Sequence, residues 1–269
     1  AGVEFSALPS SPNGDYRNAR EFIQHNNVTA IIIAGGDGTV SQAIGSLKDL
    51  GLPFGIIPCG SGNGLALAAG IPRDPAAAID LVLKGESRPT DGFLLNDHFA
   101  CMLCGLGFDA KVAHDFAHQT KRGLHNYVKM VVRNFFSART WDFEITVKEK
   151  TFRTVAFFIS IANSNQFGNN FTIAPKASLR DGLLDIVIVT KQKKLNVLLN
   201  TISQLRGKQP LQMDTLIDNN KAVIYFQTDR FSLKNLSMAP LHLDGDPADC
   251  PEAVDCRILP GCFDLISGK

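Results

Sequence analysis

Hydrophobic residues in the first third of the chain follow two repeating patterns. Residues 28–33 form a continuous apolar and β-branched run, which is typical of a strand buried on both faces of a sheet. Residues 40–47 carry apolar side chains at the i, i+3, i+4 and i+7 positions of a helix. Residues 53–58 form a second short apolar run, again followed by glycines. Two strand–loop–helix units in succession predict a parallel sheet that binds ligands at the carboxyl ends of its strands.

Two further helices are predicted in this region, and a different pattern follows it. Residues 16–25 predict one helix, and residues 75–84 predict another, with Asp74 as its N-cap and Pro75 in its first turn. From about residue 88, short alternating runs dominate, which predicts a second, β-rich domain. Its predicted elements are strands at 99–103, 141–147, 153–161, 184–189, 222–227 and 241–243, and helices at 123–136 and 195–205.

The composition limits the class of protein. With 269 residues, 45% of them hydrophobic, the chain can bury the core of one large domain or two ordinary ones. A net charge of +1 gives no reason to expect a nucleic-acid partner, which requires a basic surface. No apolar run approaches 18 residues, so we expect no transmembrane segment, and no signal peptide is recognisable. Because the sequence begins at Ala1 with a fold soon under way, we expect an N-terminal segment to be missing.

Six cysteines raise the question of a metal or disulfide site. Cys101 and Cys104 have Cys-x-x-Cys spacing, but they lie in an apolar run with no second pair at zinc-finger spacing. We therefore expect buried, reduced thiols in a cytosolic protein rather than a metal or redox site. The six are Cys59, Cys101, Cys104, Cys250, Cys256 and Cys262.

A glycine-rich loop follows the first predicted strand. It consists of Gly35, Gly36, Asp37, Gly38 and Thr39. Glycines let backbone N–H groups approach an anion, and the N-terminus of the following helix favours negative charge. Asp37 can hold a magnesium ion, and Thr39 can cap the helix or contact a phosphate. The loop indicates phosphate binding, with an ordinary tight turn as the alternative; it is not a Walker loop, because no Gly-Lys-Ser/Thr follows.

A second glycine-rich loop follows the second predicted strand. It contains Gly60, Ser61, Gly62, Asn63 and a further glycine. Loops at the ends of neighbouring parallel strands face each other, and the Asn63 amide can bind a phosphate oxygen or a ribose hydroxyl. The two loops together predict a nucleotide site.

These two loops and four later segments resemble, in order, the catalytic domain of the diacylglycerol kinase and sphingosine kinase family. The resemblance covers nearly the whole chain, and its motifs are specific as a set. The later segments are residues 105–110 (GLGFDA), 121–123 (KRG), 163–185 (an Asn-x-x-x-Phe-Gly motif followed by APKASLRDGLLD) and 243–246 (LDGD).

The resemblance implies a fold and a division of the chain. The expected fold is α/β, with a nucleotide-binding α/β domain containing a parallel sheet at residues 1–90. A β-rich, β-sandwich-like lipid-binding domain would follow at residues 91–269, and the active site would lie in the cleft. Two departures are visible: the family's first strand, which ends in an Asn-Pro-x-x-Gly type of loop, is missing, and Asp246 replaces the usual glutamate.

The resemblance also implies roles for single residues. The first loop would cradle the phosphates of ATP, helped by Ser61 and Asn63. Asp244 would be the general base that takes the proton from the lipid hydroxyl, and Asp37 is the competing choice.

A structural Mg²⁺ site is implied at Asp181, together with backbone groups at Ser178 and Leu183. Asp37 and Asp91 would join this site through water. A plain hairpin turn at residues 181–182 is the alternative, and without the family it would be the favoured one.

The lipid side rests on two predicted helices. Residues 127–136 and 195–205 carry apolar stripes beside basic residues, which suits a lipid cavity and a membrane-docking face. Core packing with a basic rim is the alternative. We expect a cytoplasmic enzyme, peripherally associated with the membrane that holds its lipid substrate, and a homodimer is one option for its assembly.

The sequence leaves several functions open. A diacylglycerol kinase leads, and a sphingosine or long-chain-base kinase follows, because the Gly-Ser-Gly-Asn form of the second loop resembles that of sphingosine kinases. An NAD kinase-like metabolite kinase and a non-catalytic nucleotide-binding regulator are further alternatives.

Overall fold

The computed structural model of the protein describes residues 3–117, 139–166, 174–190 and 223–268. Its first part alternates helices with two strands, after a 3₁₀ turn at Arg17–Ala19. The elements are α1 (Arg20–His25), β1 (Ile31–Gly35), α2 (Asp37–Leu47), β2 (Phe54–Pro58), α3 (Gly64–Ala68) and α4 (Pro75–Lys84).

The rest of the described chain is mainly strand. One helix, α5 (Phe108–Ala117), interrupts it. The strands are β3 (Glu86–Leu95), β4 (His98–Ala100), β5 (Leu103–Gly107), β6 (Trp141–Val147), β7 (Lys150–Ala162), β8 (Leu184–Thr190), β9 (Val223–Thr228), β10 (Arg230–Asn235), β11 (Leu241–Leu243), β12 (Asp246–Ala248) and β13 (Ala253–Ser267).

Hydrogen bonds join the strands of the described residues into one mixed sheet. Its main path is β1-β2-β13-β10-β6-β7-β5-β11-β12, with β3 and β4 attached through β13, and β8 and β9 through β7. β1 and β2 are parallel, as the two strand–loop–helix units predict. The last strand of the chain, β13, also runs parallel to β2, with Leu265 opposite Phe54. The end of the chain therefore returns to the first part and connects it to the antiparallel strands.

Two main apolar cores lie on either side of this connection. One surrounds α2 and the first two strands, and it includes Phe263 and Leu265 of β13. The other fills the β-rich part around Trp141, Phe143 and Phe231. The N-terminus of α2 and the turn between β11 and β12 meet where the two parts join.

Several predicted elements are confirmed, but the prediction that the first strand is buried on both faces is wrong. Helix α4 spans the predicted residues, and the Asp74 carboxylate accepts the Ala77 N–H at 2.9 Å as its N-cap. β1, however, begins at Ile31 and is not buried on both faces, since Ile32 is 43% exposed. Val82 of α4 lies beside Ile32 without covering it completely.

The predicted strand at residues 99–103 is divided into β4 and β5. Between them, residues 101–103 turn their N–H groups toward a buried carboxylate, which the pattern of apolar residues could not show. β3, β10, β12 and β13 were not among the predicted strands. In β13, a shift in register after Leu259 disrupts the regular pairing with β3.

The predicted helices at 123–136 and 195–205 lie outside the described residues, as does the Lys121-Arg122-Gly123 motif. In the described segments, no helix is long and apolar enough to cross a membrane. All six cysteines are free thiols, and three of them, Cys101, Cys104 and Cys256, are buried. Cys59 departs from the expectation of burial, because it lies exposed in the second glycine loop.

Candidate active site

The two glycine loops contact each other directly through their backbones. A Cβ added to Gly60 would lie 2.5 Å from the Cα of Gly36, so neither position has room for a side chain. The Cys59 N–H donates to the Gly35 carbonyl at 2.9 Å and extends the pairing of β1 and β2 into the loops. The structure thus brings the two loops together at the carboxyl ends of their strands.

Asn63 shapes the second loop from within. Its side-chain oxygen accepts the Gly60 N–H at 2.9 Å, and its amide nitrogen donates to the Gly60 carbonyl at 2.8 Å. The residue is buried and has a φ of 56°, a left-handed value that asparagine tolerates. Ser61 is exposed and Gly62 is half-buried at the tip of the same loop. Asn63 therefore holds the loop's shape, and Ser61 is a polar side chain open to a ligand.

The first loop is tighter than its sequence indicates, because α2 already begins at Asp37. Gly36 is the N-cap, and Gly38 and Thr39 belong to the first helical turn. The Thr39 side chain packs back on Gly35, where a Cβ would lie 2.8 Å from the Cβ of Thr39. The first turn of a helix leaves backbone N–H groups without partners inside the helix, and these favour an anion.

Asp37 links the two loops. Its Oδ1 atom accepts the N–H of Gly64, at the start of α3, at 2.7 Å. Burial raises the pKa of this half-buried carboxyl to about 6, and the nearby Asp244 carboxylate adds to the rise. A carboxyl with this pKa can both hold and release a proton near neutral pH.

Asp244 lies in the tight turn between β11 and β12, and its carboxylate is enclosed by donors. Oδ2 accepts the Ser41 hydroxyl at 2.5 Å and the Cys101 N–H at 3.0 Å. Oδ1 accepts the Met102 N–H at 3.0 Å and the Leu103 N–H at 2.8 Å. Burial raises the pKa of Asp244, and these four hydrogen bonds to the ionised form oppose the rise. The carboxylate ties α2 to the β4–β5 turn and to its own turn.

The turn at Asp244 also positions Asp246. Asp244 and Gly245 both have positive φ, 47° and 90°, as in the type I′ hairpin turn. Leu243 then pairs with Asp246 across the two strands. The Asp246 carboxylate reaches the first turn of α2, where a Cβ on Gly38 would collide with its Oδ2 atom. Gly38 is thus required for the approach of Asp246 to the helix.

Two further acidic residues, Asp91 and Asp181, lie around the turn at residues 178–183. Asp91 is buried, and its two carboxylate oxygens accept the N–H groups of Gly182 and Gly261 at 2.8 and 2.7 Å. Asp181 is exposed, and its Oδ1 atom accepts the Leu183 N–H at 3.1 Å, while the Ser178 hydroxyl accepts the Arg180 N–H at 3.3 Å. Burial, and then the Asp91 charge, raise the pKa of Asp181.

The acidic residues implied by the resemblance therefore form two pairs. The structure places Asp91 with Asp181 and Asp37 with Asp244. Asn163 connects the pairs, because its amide nitrogen donates to the carbonyls of Asp91 and Cys101 at 2.8 and 3.0 Å.

Sequence reasoning gave no role to Ser41 or to Asn163. Ser41 lies one helical turn after Asp37 and so on the same face of α2, and that spacing is a signal that could have identified it. Asn163 follows the long apolar strand β7 and is fully buried, but its partners are 62 and 72 residues away in sequence. No local pattern predicts such partners.

The site fits a nucleotide and a divalent cation. The first turn of α2 favours phosphate, yet Asp37 and Asp246 place two carboxylates beside it, which would repel an anion alone. Mg²⁺ commonly binds through one or two carboxylates together with phosphate oxygens and water, so a cation makes this arrangement coherent. In the part of the chain that the structure describes, no three acidic, histidine or cysteine side chains cluster as a complete metal site.

Comparison with protein families identifies two matching domains. Residues 1–94 match the diacylglycerol kinase catalytic domain, and residues 103–267 match the YegS C-terminal NAD kinase beta sandwich-like domain. A diacylglycerol kinase of Bacillus subtilis is 28% identical over 251 residues, covering 91% of this chain and 80% of the relative. A probable lipid kinase YegS-like of Chromohalobacter salexigens is 27% identical over 272 residues, covering 98% and 84%.

Solved structures show the same fold. A crystal structure of a diacylglycerol kinase from Bacillus anthracis superposes with a TM-score of 0.73 and 20% identity, covering 97% of this chain and 84% of that one. The α/β architecture with a C-terminal sandwich-like domain is therefore confirmed.

Proposed function

The chain belongs to the lipid kinase family that joins a diacylglycerol kinase catalytic domain to a YegS-type C-terminal domain, and from that premise we propose its substrates and the roles of its residues. The proposed reaction is transfer of the γ-phosphate of ATP to the free hydroxyl of diacylglycerol, with Mg²⁺ as the cation. The acceptor resides in a lipid bilayer, so the enzyme would work at a membrane surface.

The proposal is carried by one observation, the meeting of two carboxylates with two glycine loops at the N-terminus of α2. Asp37 and Asp246 lie at the first helical turn, and the close contact between Gly36 and Gly60 leaves the backbone free of side chains at that point. Phosphoryl transfer requires mainly positioning and neutralisation of charge, and this arrangement provides both.

The nucleotide phosphates would lie against the N-terminal N–H groups of α2, with Ser61 within the second loop as a further donor. Asp246 would hold the Mg²⁺ ion directly and Asp37 would hold it through water, and the ion would supply charge neutralisation for the transferred phosphate. A second, structural Mg²⁺ at Asp181, Ser178 and Leu183 stays a proposal. The internal hydrogen bonds of that turn leave one Asp181 oxygen for a cation.

The hydrogen bonds favour Asp37 over Asp244 as the general base. N–H and O–H donors of four residues, and the Cys101 thiol at 3.9 Å, already occupy the Asp244 carboxylate, so a substrate hydroxyl would have to displace one of them. The half-buried Asp37 carboxylate accepts the backbone N–H of Gly64, with weaker backbone hydrogen bonds from Asn63 and Leu65, and its pKa is still raised to about 6. Asp37 would accept the proton of the lipid hydroxyl directly, and Asp244 would hold the surrounding turn in place.

A long-chain base such as sphingosine is the second candidate acceptor. The specific observation in its favour is the Gly-Ser-Gly-Asn form of the second loop, in which Ser61 is exposed. Both acceptors present a primary hydroxyl beside apolar chains, so the catalytic residues would serve either one.

A transfer assay tests the proposal directly. The purified protein is incubated with Mg²⁺ and labelled ATP, and with diacylglycerol in mixed micelles, sphingosine in mixed micelles or NAD in solution. We expect label in phosphorylated diacylglycerol, and none when Asp37 is replaced by Asn. Label only in sphingosine would reassign the acceptor, and label only in NAD, or nucleotide binding without any transfer, would refute lipid phosphorylation.

A further inference from the structure

His242 is a fully buried histidine two residues before Asp244. It lies in β11, opposite Gly105 of β5. Its Nδ1 atom accepts the N–H of Gly245 at 3.2 Å, so the ring caps the backbone of the turn that carries Asp244 and Asp246. The backbone N–H can only donate, which makes Nδ1 the acceptor and places the ring proton on Nε2 in a neutral ring.

The other ring nitrogen faces Asp109. His242 Nε2 lies 3.5 Å from Asp109 Oδ2, and both side chains are buried. Asp109 is in the first turn of α5, where its Oδ1 atom accepts the N–H of Ala110 at 2.8 Å. A Cβ on Gly105 would lie 2.6 Å from His242 Nε2 and would also collide with Asp109, so Gly105 leaves the space in which the pair meets.

We propose that His242, oriented by Asp109, is a positioning residue for the turn that presents Asp246 to the N-terminus of α2. This inference rests on the proposed function of that site. The pair acts through Gly245 and does not contact the substrates.

The need for such a residue follows from the turn itself. Asp244 and Gly245 both adopt left-handed φ values, and for Asp244 this conformation is less favourable than for a glycine. The Asp244 carboxylate and the bond from its N–H to the Leu103 carbonyl, at 2.9 Å, hold one side of the turn. Among the described residues, no atom lies within 4 Å of a Cβ added to Gly245, so none of them fixes it by packing. Within this part of the chain, the bond to His242 is the contact that fixes the Gly245 peptide.

Two substitutions of similar size test the two contacts of the His242 ring one at a time: Nδ1 with Gly245, and Nε2 with Asp109. The side-chain oxygen of His242→Asn can occupy the position of Nδ1 and keep an acceptor for the Gly245 N–H. The terminal amide of His242→Gln can occupy the position of Nε2, facing Asp109, and leaves Gly245 without its acceptor. Hydrogen exchange of the Gly245 amide in the protein without substrates reports the turn directly. The rate constant kcat and the KM for ATP report its effect on the reaction.

We expect His242→Asn to keep slow exchange at Gly245 and a kcat within about threefold of the wild type. His242→Gln should speed exchange at Gly245 and lower kcat by about tenfold or more, with the KM for ATP unchanged, since the glycine loops are untouched. Thermal unfolding of both variants checks that each is folded.

Slow Gly245 exchange and wild-type kcat in His242→Gln would overturn the inference. So would equal losses in both variants, because these would reflect packing of the ring and not its Nδ1 acceptor. If the wild-type protein transfers no phosphate to lipid, the proposed function fails, and the exchange rates of Gly245 in the two variants still decide whether His242 positions the turn.

Discussion

Asp244→Asn replaces one oxygen of a carboxylate that accepts hydrogen bonds from Ser41, Cys101, Met102 and Leu103. The substitution distinguishes two roles for Asp244: a general base, or a structural residue that holds the surrounding turn in place. The least costly orientation turns the new NH₂ group toward Ser41, whose hydroxyl can rotate and accept. The NH₂ group then also faces the Cys101 N–H, so two donors meet in a buried site. The remaining oxygen keeps the bonds from Met102 and Leu103, but without the negative charge.

The energetic cost follows from these contacts. A buried N–H without an acceptor costs about 1–3 kcal/mol, and each of the two retained bonds weakens by about 1 kcal/mol when the acceptor becomes neutral. Part of this loss is offset, because burial raises the pKa of Asp244 and so makes its charge costly. We expect the free energy of unfolding to fall by about 2–3 kcal/mol, which lowers Tm by about 4–12 °C.

The assay is thermal unfolding without nucleotide at pH 7.5, run beside the lipid phosphorylation assay. Asp249→Asn is the matched control, because it makes the same chemical change at an exposed carboxylate nearby and should leave both readouts unchanged. If Asp244→Asn has the Tm of the wild type but no longer phosphorylates lipid, the structural role of Asp244 is refuted and Asp244 is the general base.

Three other measurements probe the site and its surroundings. Gly60→Ala should raise the KM for ATP by about tenfold or more, because its Cβ would lie 2.5 Å from the backbone of Gly36, which cannot move aside. Cys59→Ala is the control. If Gly60→Ala and Cys59→Ala have the same KM for ATP, the role of the loop contact in nucleotide binding is refuted. With Asp37 as base, kcat/KM should fall as pH drops through an apparent pKa of about 6, because the protonated carboxyl cannot accept the hydroxyl proton. A profile flat from pH 5 to 8 would contradict this role. Burial raises the pKa of Asp185 in β8 to about 6, although its carboxylate accepts hydrogen bonds from Tyr225 and Gln227. The contribution of Asp185 to the free energy of unfolding is therefore present below the ordinary pKa of an aspartate and is lost as pH rises through 6. The Tm of Asp185→Asn relative to the wild type should therefore be higher at pH 7.5 than at pH 5, and the opposite order would refute the assignment.

The network around Asp244 joins the two parts of the chain. Ser41 belongs to α2 in the nucleotide-binding part, and the other three donors belong to the β4–β5 turn. Asn163 extends the network to Asp91 and so to the turn at residues 178–183. The two carboxylate pairs are therefore connected by a chain of hydrogen bonds that runs through Asn163 and the backbone.

The two loops and α4 show how far local sequence information reaches. The glycines that follow each strand predict bare backbone near an anion, and the structure places Gly36 against Gly60 as a consequence. The cap of α4 could be predicted because Asp74 and its partner Ala77 are three residues apart. In each case, the decisive contacts lie within one element or between the ends of two neighbouring strands.

The exposure of Ile32 and the break between β4 and β5 show where that information ends. A β-branched run predicts a strand, but its burial depends on which element packs over it, and α4 covers Ile32 only in part. The break at residues 101–103 exists because a carboxylate more than 140 residues away accepts their N–H groups.

The sequence by itself determined the order of the elements in the first part, the two glycine loops and the family to which the chain belongs. These depend on periodicity, turn chemistry and motif spacing, which are local. The tertiary structure alone decided how the carboxylates pair, which of them is enclosed by donors and which lies at the first turn of α2. Ser41 and Asp244 are 203 residues apart, and only the return of the last strands to the first part brings them within hydrogen-bonding distance.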